Sequence, residues 1–99
     1  MDSNEIIRRL KSAEPALRAT GVGSLRLFGS FARGDARDGS DIDLYAEGSD
    51  GERLDLIKIA AGQTTLQALF PGTEISYSSR DSISPLYLPH IEASSIRVF

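Results

Sequence analysis

Apolar residues near the start of the chain recur at the spacing of a helix. Between positions 4 and 19 they return every three or four residues, with charged residues in between, which predicts an amphipathic helix. Proline lacks an amide hydrogen and clashes with the preceding turn, so we expect the helix to break near Pro15 and to resume after it. The residues predicted to face the core are Ile6, Ile7, Leu10, Ala13 and Leu17.

A second helix is predicted to run to about residue 70, where a Pro-Gly pair ends it. Ser49 and Glu52 have the spacing of a capping box, in which each side chain binds the other's backbone amide. We therefore place the start of this helix just after the loop at 48–51. The apolar residues predicted to turn toward the core are Leu54, Ile57, Ala61, Leu66, Leu69 and Phe70.

Three other stretches have the alternating pattern of strands. They lie at about 24–28, 41–46 and 73–78, and a short helix near 85–91 and a last extended segment at 96–98 follow them. Strands interleaved with helices are typical of a mixed α/β (α+β) domain. We therefore expect a small mixed β-sheet with the main helices packed on one side.

The composition is that of an ordinary globular domain, with 40% hydrophobic and 25% charged residues in 99 positions. This length predicts one domain over residues 1–99. The chain has no cysteine, which excludes disulfides and thiolate metal sites. No apolar run reaches membrane-spanning length and no signal segment follows Met1, so we expect a cytoplasmic protein without a membrane partner. A net charge of −3 argues against a broad nucleic-acid interface.

The candidate chemistry lies in residues 29–44. Gly29-Ser30 follows the first predicted strand and can form a tight turn into a short helix. The hydroxyl of Ser30 and the unpaired amide groups at a helix start form a pocket for phosphate oxygens. Arg33 follows on the first turn, as a phosphate contact or as a solvated surface residue. The alternative for Gly29-Ser30 is a plain turn and helix cap.

Asp41 and Asp43 lie two residues apart on a predicted strand, so their side chains share one face. Their backbones are about 6.5–7 Å apart, so the carboxylate oxygens can converge on one or two divalent cations. Mg²⁺ prefers such oxygen ligands and completes its shell with water and substrate phosphates. The alternative is that these charges only keep a strand edge soluble.

The spacing of these residues resembles the signature of the DNA polymerase β-like nucleotidyltransferase superfamily. That signature consists of Gly-Ser, ten intervening residues and Asp-x-Asp, which Gly29-Ser30 and Asp41–Asp43 match. The runs Ala32–Gly34 and Ser40–Leu44 are also similar to the usual sequences of the family. The chain length fits the smallest form of this fold, the minimal nucleotidyltransferase (MNT) domain.

The resemblance implies a Mg²⁺-dependent enzyme that transfers AMP from ATP to a hydroxyl group. Family members take a third carboxylate from a later strand, and Glu74 occupies the matching place here, one methylene longer than the usual aspartate. The resemblance thus implies that Asp41, Asp43 and Glu74 are the catalytic and metal-binding residues, with two cations bridging the triphosphate. The nucleotide-binding residues that it implies are Gly29, Ser30 and Arg33.

The resemblance also implies a partner. Stand-alone MNT domains resemble the antitoxin half of HEPN/MNT toxin–antitoxin pairs, in which the MNT protein adenylylates a tyrosine of its HEPN partner, a ribonuclease, and silences it. The expected complex is therefore one between this chain and a HEPN toxin. Two alternatives remain open: a non-catalytic antitoxin that acts by contact alone, and a small-molecule nucleotidyltransferase that needs a separate helical subunit.

Overall fold

The computed structural model of the protein describes all residues, 1–99, and contains five helices and four strands. The helices are α1 (Ser3–Lys11), α2 (Glu14–Ala19), α3 (Gly29–Arg33), α4 (Leu56–Leu69) and α5 (Leu88–Ser94). The strands are β1 (Val22–Phe28), β2 (Ile42–Gly48), β3 (Ile75–Ser79) and β4 (Ile96–Arg97). None of the helices has both the length and the apolar character needed to cross a lipid bilayer.

The four strands form one mixed sheet in the order β3-β2-β1-β4. β1 pairs antiparallel with both β2 and β4, and β2 pairs parallel with β3. A parallel pair needs a crossover between its strands, and α4 provides it. The predicted mixed sheet is therefore confirmed.

The core lies between one face of the sheet and the helices α1, α2 and α4. α2 packs on β1, α4 packs on β3, and both α1 and α2 contact α4. The short α5 instead lies against α3 and β1. The prediction that the main helices pack on one side of the sheet is confirmed for α1, α2 and α4. The fully buried core side chains include Ile6, Leu10, Leu25, Leu27, Ile42, Leu44 and Leu66.

The first predicted helix is divided in two. α1 ends at Lys11, and α2 begins at Glu14 with Pro15 in its first turn. Proline is tolerated there because the amide groups of a first turn have no intrahelical partner. The predicted break is thus confirmed, and it lies just before Pro15.

The prediction that a capping box at Ser49 and Glu52 starts α4 is wrong. Both the amide and the hydroxyl of Ser49 donate to the carbonyl of Gly21, at 2.8 and 3.3 Å, and Ser49–Gly51 forms a 3₁₀ turn. α4 begins at Leu56 instead, where the carboxylate of Asp55 accepts the amide hydrogen of Lys58 at 2.8 Å. Because Ser49 is hydrogen-bonded to Gly21, the residue before β1, it does not cap α4, and Asp55 caps the helix instead.

The face of α4 that meets the sheet also differs from the prediction. Ile57 is 81% exposed and Ala61 is exposed, whereas Gly62 and Leu66 are buried. A Cβ at Gly62 would lie 2.7 Å from the ring of Tyr77, so only glycine lets α4 approach β3 this closely. The close approach at Gly62 fixes the rotation of the helix, and Ile57 therefore turns to solvent.

Candidate active site

β1 runs directly into α3 at the predicted Gly-Ser turn. β1 ends at Phe28 and α3 begins at Gly29, whose φ of +74° is a left-handed conformation that favours glycine. The helix is short and ends at Gly34, and the amide groups of Gly34 and Asp35 both donate to the carbonyl of Ser30. The predicted turn into a short helix is thus present, with Ser30 in its first turn.

The turn lies directly against the Asp-x-Asp strand. Phe28 pairs with Asp43 in the antiparallel ladder of β1 and β2. A Cβ built on Gly29 would collide with a carboxylate oxygen of Asp43 and would lie 3.0 Å from its Cγ. The missing side chain of Gly29 therefore makes room for the carboxylate of Asp43. The two halves of the sequence motif, separated by ten residues in the chain, meet in space.

The two aspartates lie on the sheet face opposite the core. Along β2 the side chains of Ile42 and Leu44 are fully buried, while Asp43 is half-buried and Asp41, just before the strand, is exposed. Burial raises the pKa of Asp43, and the negative charge of Asp41 raises it further. The two carboxylates are therefore near enough to interact, as a shared cation site requires.

Arg33, at the end of α3, belongs to the same surroundings. Its positive charge lowers the pKa of Asp43 and so partly offsets the effect of Asp41. The Arg33 guanidinium also contacts the Asp35 carboxylate, with Nε 3.3 Å from Oδ2, and both side chains are largely exposed. Arg33 is thus held loosely and can turn toward an anionic ligand.

Glu74 lies beside Asp41 at the edge of this site. Its carbonyl accepts the amide hydrogen of Ile42 at 2.9 Å, its side chain is exposed, and it lines a pocket of about 280 Å³ together with Asp41. The residue that pairs with Asp43 across the parallel ladder is Ser76. The structure therefore brings Asp41 and Asp43 together, and it places Glu74 beside Asp41 rather than beside Asp43.

No group of three or more acidic, histidine or cysteine side chains in the chain is arranged to hold a metal ion. Two carboxylates on one strand face nevertheless fit Mg²⁺, because this ion often takes only one or two protein carboxylates and fills its shell with water and phosphate oxygens. Asp41 and Asp43 are such a pair. The donor set thus suits a cation that arrives with a nucleotide.

Sequence reasoning did not single out Ser76 as a site residue. The available signal was the alternation along β3, where Ile75 and Tyr77 are buried and Ser76 must face the other way. The missing information was the pairing with β2, which decides whether position 74 or position 76 lies beside Asp43. Local sequence does not contain that pairing.

Comparison with known proteins identifies the family of the chain. The sequence model of the nucleotidyltransferase domain family matches residues 3–92. A protein of Methanocaldococcus jannaschii, named as a candidate protein adenylyltransferase, is 32% identical in an alignment of 99 positions that covers 99% of this chain and 99% of that protein. The match thus extends over nearly the whole length of both chains.

Solved structures share the fold. One described as a candidate minimal nucleotidyltransferase is 27% identical, covers 97% of this chain and 95% of its own, and has a TM-score of 0.79. A toxin–antitoxin complex with AMP-PNP contains a chain that is 20% identical, with a TM-score of 0.71 and coverage of 100% and 73%. A complex of a tri-AMPylated Shewanella oneidensis HEPN toxin with its MNT antitoxin is similar at 16% identity, with a TM-score of 0.63 and coverage of 90% and 68%.

Proposed function

The chain belongs to the nucleotidyltransferase domain family, and on that premise we propose that it transfers AMP from ATP to a tyrosine hydroxyl of a HEPN toxin and so acts as the antitoxin. The contact of Gly29 with the carboxylate of Asp43 is the observation on which the proposal rests, because it brings the candidate phosphate-binding turn against one of the two candidate metal ligands. The adenylyltransferase relative and the AMPylated toxin complex support the choice of AMP and of a protein acceptor. The AMP-PNP complex supports ATP as the donor.

In this proposal the turn holds the phosphates of ATP. The hydroxyl of Ser30 and the free amide groups at the start of α3 donate to phosphate oxygens. Arg33 adds a positive charge on the same side as Asp43. The fold itself forms the turn that carries Ser30, so the turn can orient the triphosphate with little rearrangement, whereas Arg33 turns from Asp35 toward the phosphates.

Asp41 and Asp43 would hold Mg²⁺ with the bound nucleotide. The chemistry that Mg²⁺ supplies is the neutralisation of negative charge on the reacting phosphates. The tyrosine oxygen of the toxin forms a bond to the α-phosphorus of ATP, the bond to the pyrophosphate oxygen breaks, and pyrophosphate leaves. The proton of the tyrosine hydroxyl must go to a base in the same step.

Of the two roles that the sequence suggests for Glu74, the base fits its position better than the metal ligand. Glu74 is exposed at the rim, beside Asp41, and forms no three-carboxylate group with the two aspartates. A rim carboxylate can reach the hydroxyl of an incoming protein. We therefore assign Glu74 to the acceptance of the tyrosine proton.

Transfer of labelled AMP tests the proposal. ATP labelled in its α-phosphate, Mg²⁺ and a co-encoded HEPN toxin should give a labelled toxin with the wild-type chain and none with Asp41→Ala plus Asp43→Ala. A matched control is Asp38→Ala plus Asp81→Ala, which removes the same charge from two exposed positions outside the site and should leave transfer intact. If the wild-type chain neutralises the toxin and the toxin carries no label, the proposal is contradicted.

One observation favours a second candidate, neutralisation of the toxin by contact alone. The site gathers two carboxylates and no third, which would suit a chain that has lost its activity. The two candidates differ in a cell-protection assay. If the double alanine variant of Asp41 and Asp43 still forms the complex and protects cells from the toxin, binding alone is sufficient; if it forms the complex without protecting them, transfer is required.

A further inference from the structure

The pairing of β2 with β3 sets which side chains lie next to Asp43. In the parallel ladder Asp43 pairs with Ser76, and the strands of such a pair are about 4.8 Å apart. Ile75 and Tyr77 are buried in the core, so the side chain of Ser76 between them points to the site face, where it is exposed. The neighbour of Asp43 on this side is a hydroxyl group.

The neighbour of Asp43 on the other side is apolar. Phe28 pairs with Asp43 in the ladder of β1 and β2, and the Phe28 ring packs against the Tyr45 ring with 5.5 Å between centroids. The nearest carboxylate on the β3 side is that of Glu74, which lies just before β3, two residues and about 6.5–7 Å before Ser76. Neither strand that flanks Asp43 therefore brings a third negative charge to it.

Charge balance limits how many cations the site around Asp41 and Asp43 can hold. In a two-metal site the ions are about 3.5–4 Å apart, and two dications repel four times as strongly as two unit charges at the same distance. The site supplies the two carboxylates of Asp41 and Asp43, and Arg33 adds a positive charge nearby. Asp41 and Asp43 balance one dication. Phosphate oxygens of the nucleotide can neutralise a second, but beside Asp43 it would find the Ser76 hydroxyl in place of a carboxylate that could hold it to the protein.

We infer that this site binds its nucleotide with one divalent cation rather than two, because Ser76 stands beside Asp43 where a third carboxylate would be needed to hold the second. The inference rests on the proposed function and replaces the two-cation expectation drawn from the resemblance. It also makes Ser76 the position that sets the number of cations. Ser76→Asp should then create the second cation position.

Equilibrium dialysis with Mn²⁺ counts the cations directly. The isolated full-length chain is dialysed against Mn²⁺ and α,β-methylene-ATP, an analogue that cannot donate AMP, and the excess of each in the protein chamber gives Mn²⁺ per bound nucleotide. We expect about one for the wild type and about two for Ser76→Asp. The readout is binding, so it does not depend on turnover.

Two variants serve as matched controls. Ser78→Asp adds the same charge to the same face of β3 but pairs with Tyr45 rather than with Asp43, so the ratio should stay near one. Glu74→Gln should also leave the ratio near one and keep the affinity for Mn²⁺ within about threefold, because Glu74 is not a ligand. Circular dichroism of each variant checks that it is folded.

The possible failures are distinguishable. A ratio of two for the wild type, a ratio of one for folded Ser76→Asp, or loss of Mn²⁺ in Glu74→Gln would each overturn the inference while leaving nucleotide binding intact. If Ser76→Asp does not fold, the wild-type ratio and the Glu74→Gln result still decide. Absence of any bound nucleotide in the wild type would contradict the proposed function itself.

Discussion

At Gly29 the backbone of the turn lies against the carboxylate of Asp43. Gly29→Ala adds a Cβ that collides with this carboxylate, at a left-handed backbone position that costs an L-residue about 1–2 kcal/mol. We expect the variant to fold with reduced stability and to lose ATP binding by at least about tenfold, because Asp43 must move. Calorimetric titration with ATP and Mg²⁺ measures this loss.

A matched control separates backbone strain from the collision. Gly51 has the same φ of +74°, but a Cβ there would meet no atom within 4 Å. Gly51→Ala should therefore lose a similar amount of stability and keep its ATP affinity. Equal losses of affinity in both alanine variants would show that the contact with Asp43 is unimportant.

Asp43 links function to stability through its pKa. Burial and the charge of Asp41 raise this pKa above its value in the unfolded chain. The folded state then holds the proton to a higher pH than the unfolded state, so the free energy of unfolding falls as the pH rises through that interval. At neutral pH the ionised carboxylate of Asp43 therefore costs the fold some stability.

We expect Asp43→Asn to raise the melting temperature at neutral pH by a few degrees at most, although the variant loses a proposed metal ligand. The gain should shrink as the pH falls below the ordinary pKa of aspartate, about 3.9, where both states are protonated. Thermal unfolding followed from about pH 3 to about pH 8 measures the difference. A gain that stays constant over this range would mean that ionisation of Asp43 is not its cause.

The residues of the site differ in how well the sequence predicts them. Gly29, Ser30, Asp41 and Asp43 lie within fifteen residues of one another in a local motif, and the structure brings the turn and the strand together as expected. Their roles stay predictions until ATP binding is measured. The placement of Glu74 relative to Ser76 depends on strand pairing, which local sequence does not specify.

Among the elements, α4 shows most clearly what a sequence pattern leaves open. The pattern correctly predicts a helix that ends near residue 70, but the predicted cap, Ser49, is occupied by contacts with Gly21, and Asp55 caps the helix instead. Its rotation depends on the contact of Gly62 with Tyr77, a residue on another element. Both errors arise because tertiary contacts override local preference.

Substitution of the two candidate caps tests the observed start of α4. Asp55→Ala removes the acceptor of the Lys58 amide and should reduce the free energy of unfolding by about 1 kcal/mol. Ser49→Ala should cost less, because its hydroxyl makes only a 3.3 Å bond to Gly21 while its amide bond remains. Chemical denaturation of both variants gives the comparison. A larger loss for Ser49→Ala would mean that the capping role lies at Ser49 after all.

At the scale of the whole molecule, the mixed sheet and the main helices follow from alternating and helical patterns, whereas the strand order does not. The chain's end returns to the free edge of β1, where Val98 and Phe99 exchange backbone hydrogen bonds with Leu25. On the site face, an ion pair between Glu92 of α5 and Arg80, with Oε1 2.6 Å from Nη2, holds α5 in place. These pairings join residues far apart in sequence, so no local pattern specifies them.

The central claim is that the Gly-Ser turn and the two aspartates form one site for ATP and a divalent cation. The most direct test is calorimetric titration of the wild-type chain with ATP, with Mg²⁺ and with Mg²⁺ removed by a chelator. We predict binding at a single site that weakens at least about tenfold without Mg²⁺ and is lost in the double alanine variant of Asp41 and Asp43. No heat of binding with Mg²⁺ present, or equal affinity with and without it, would contradict the account.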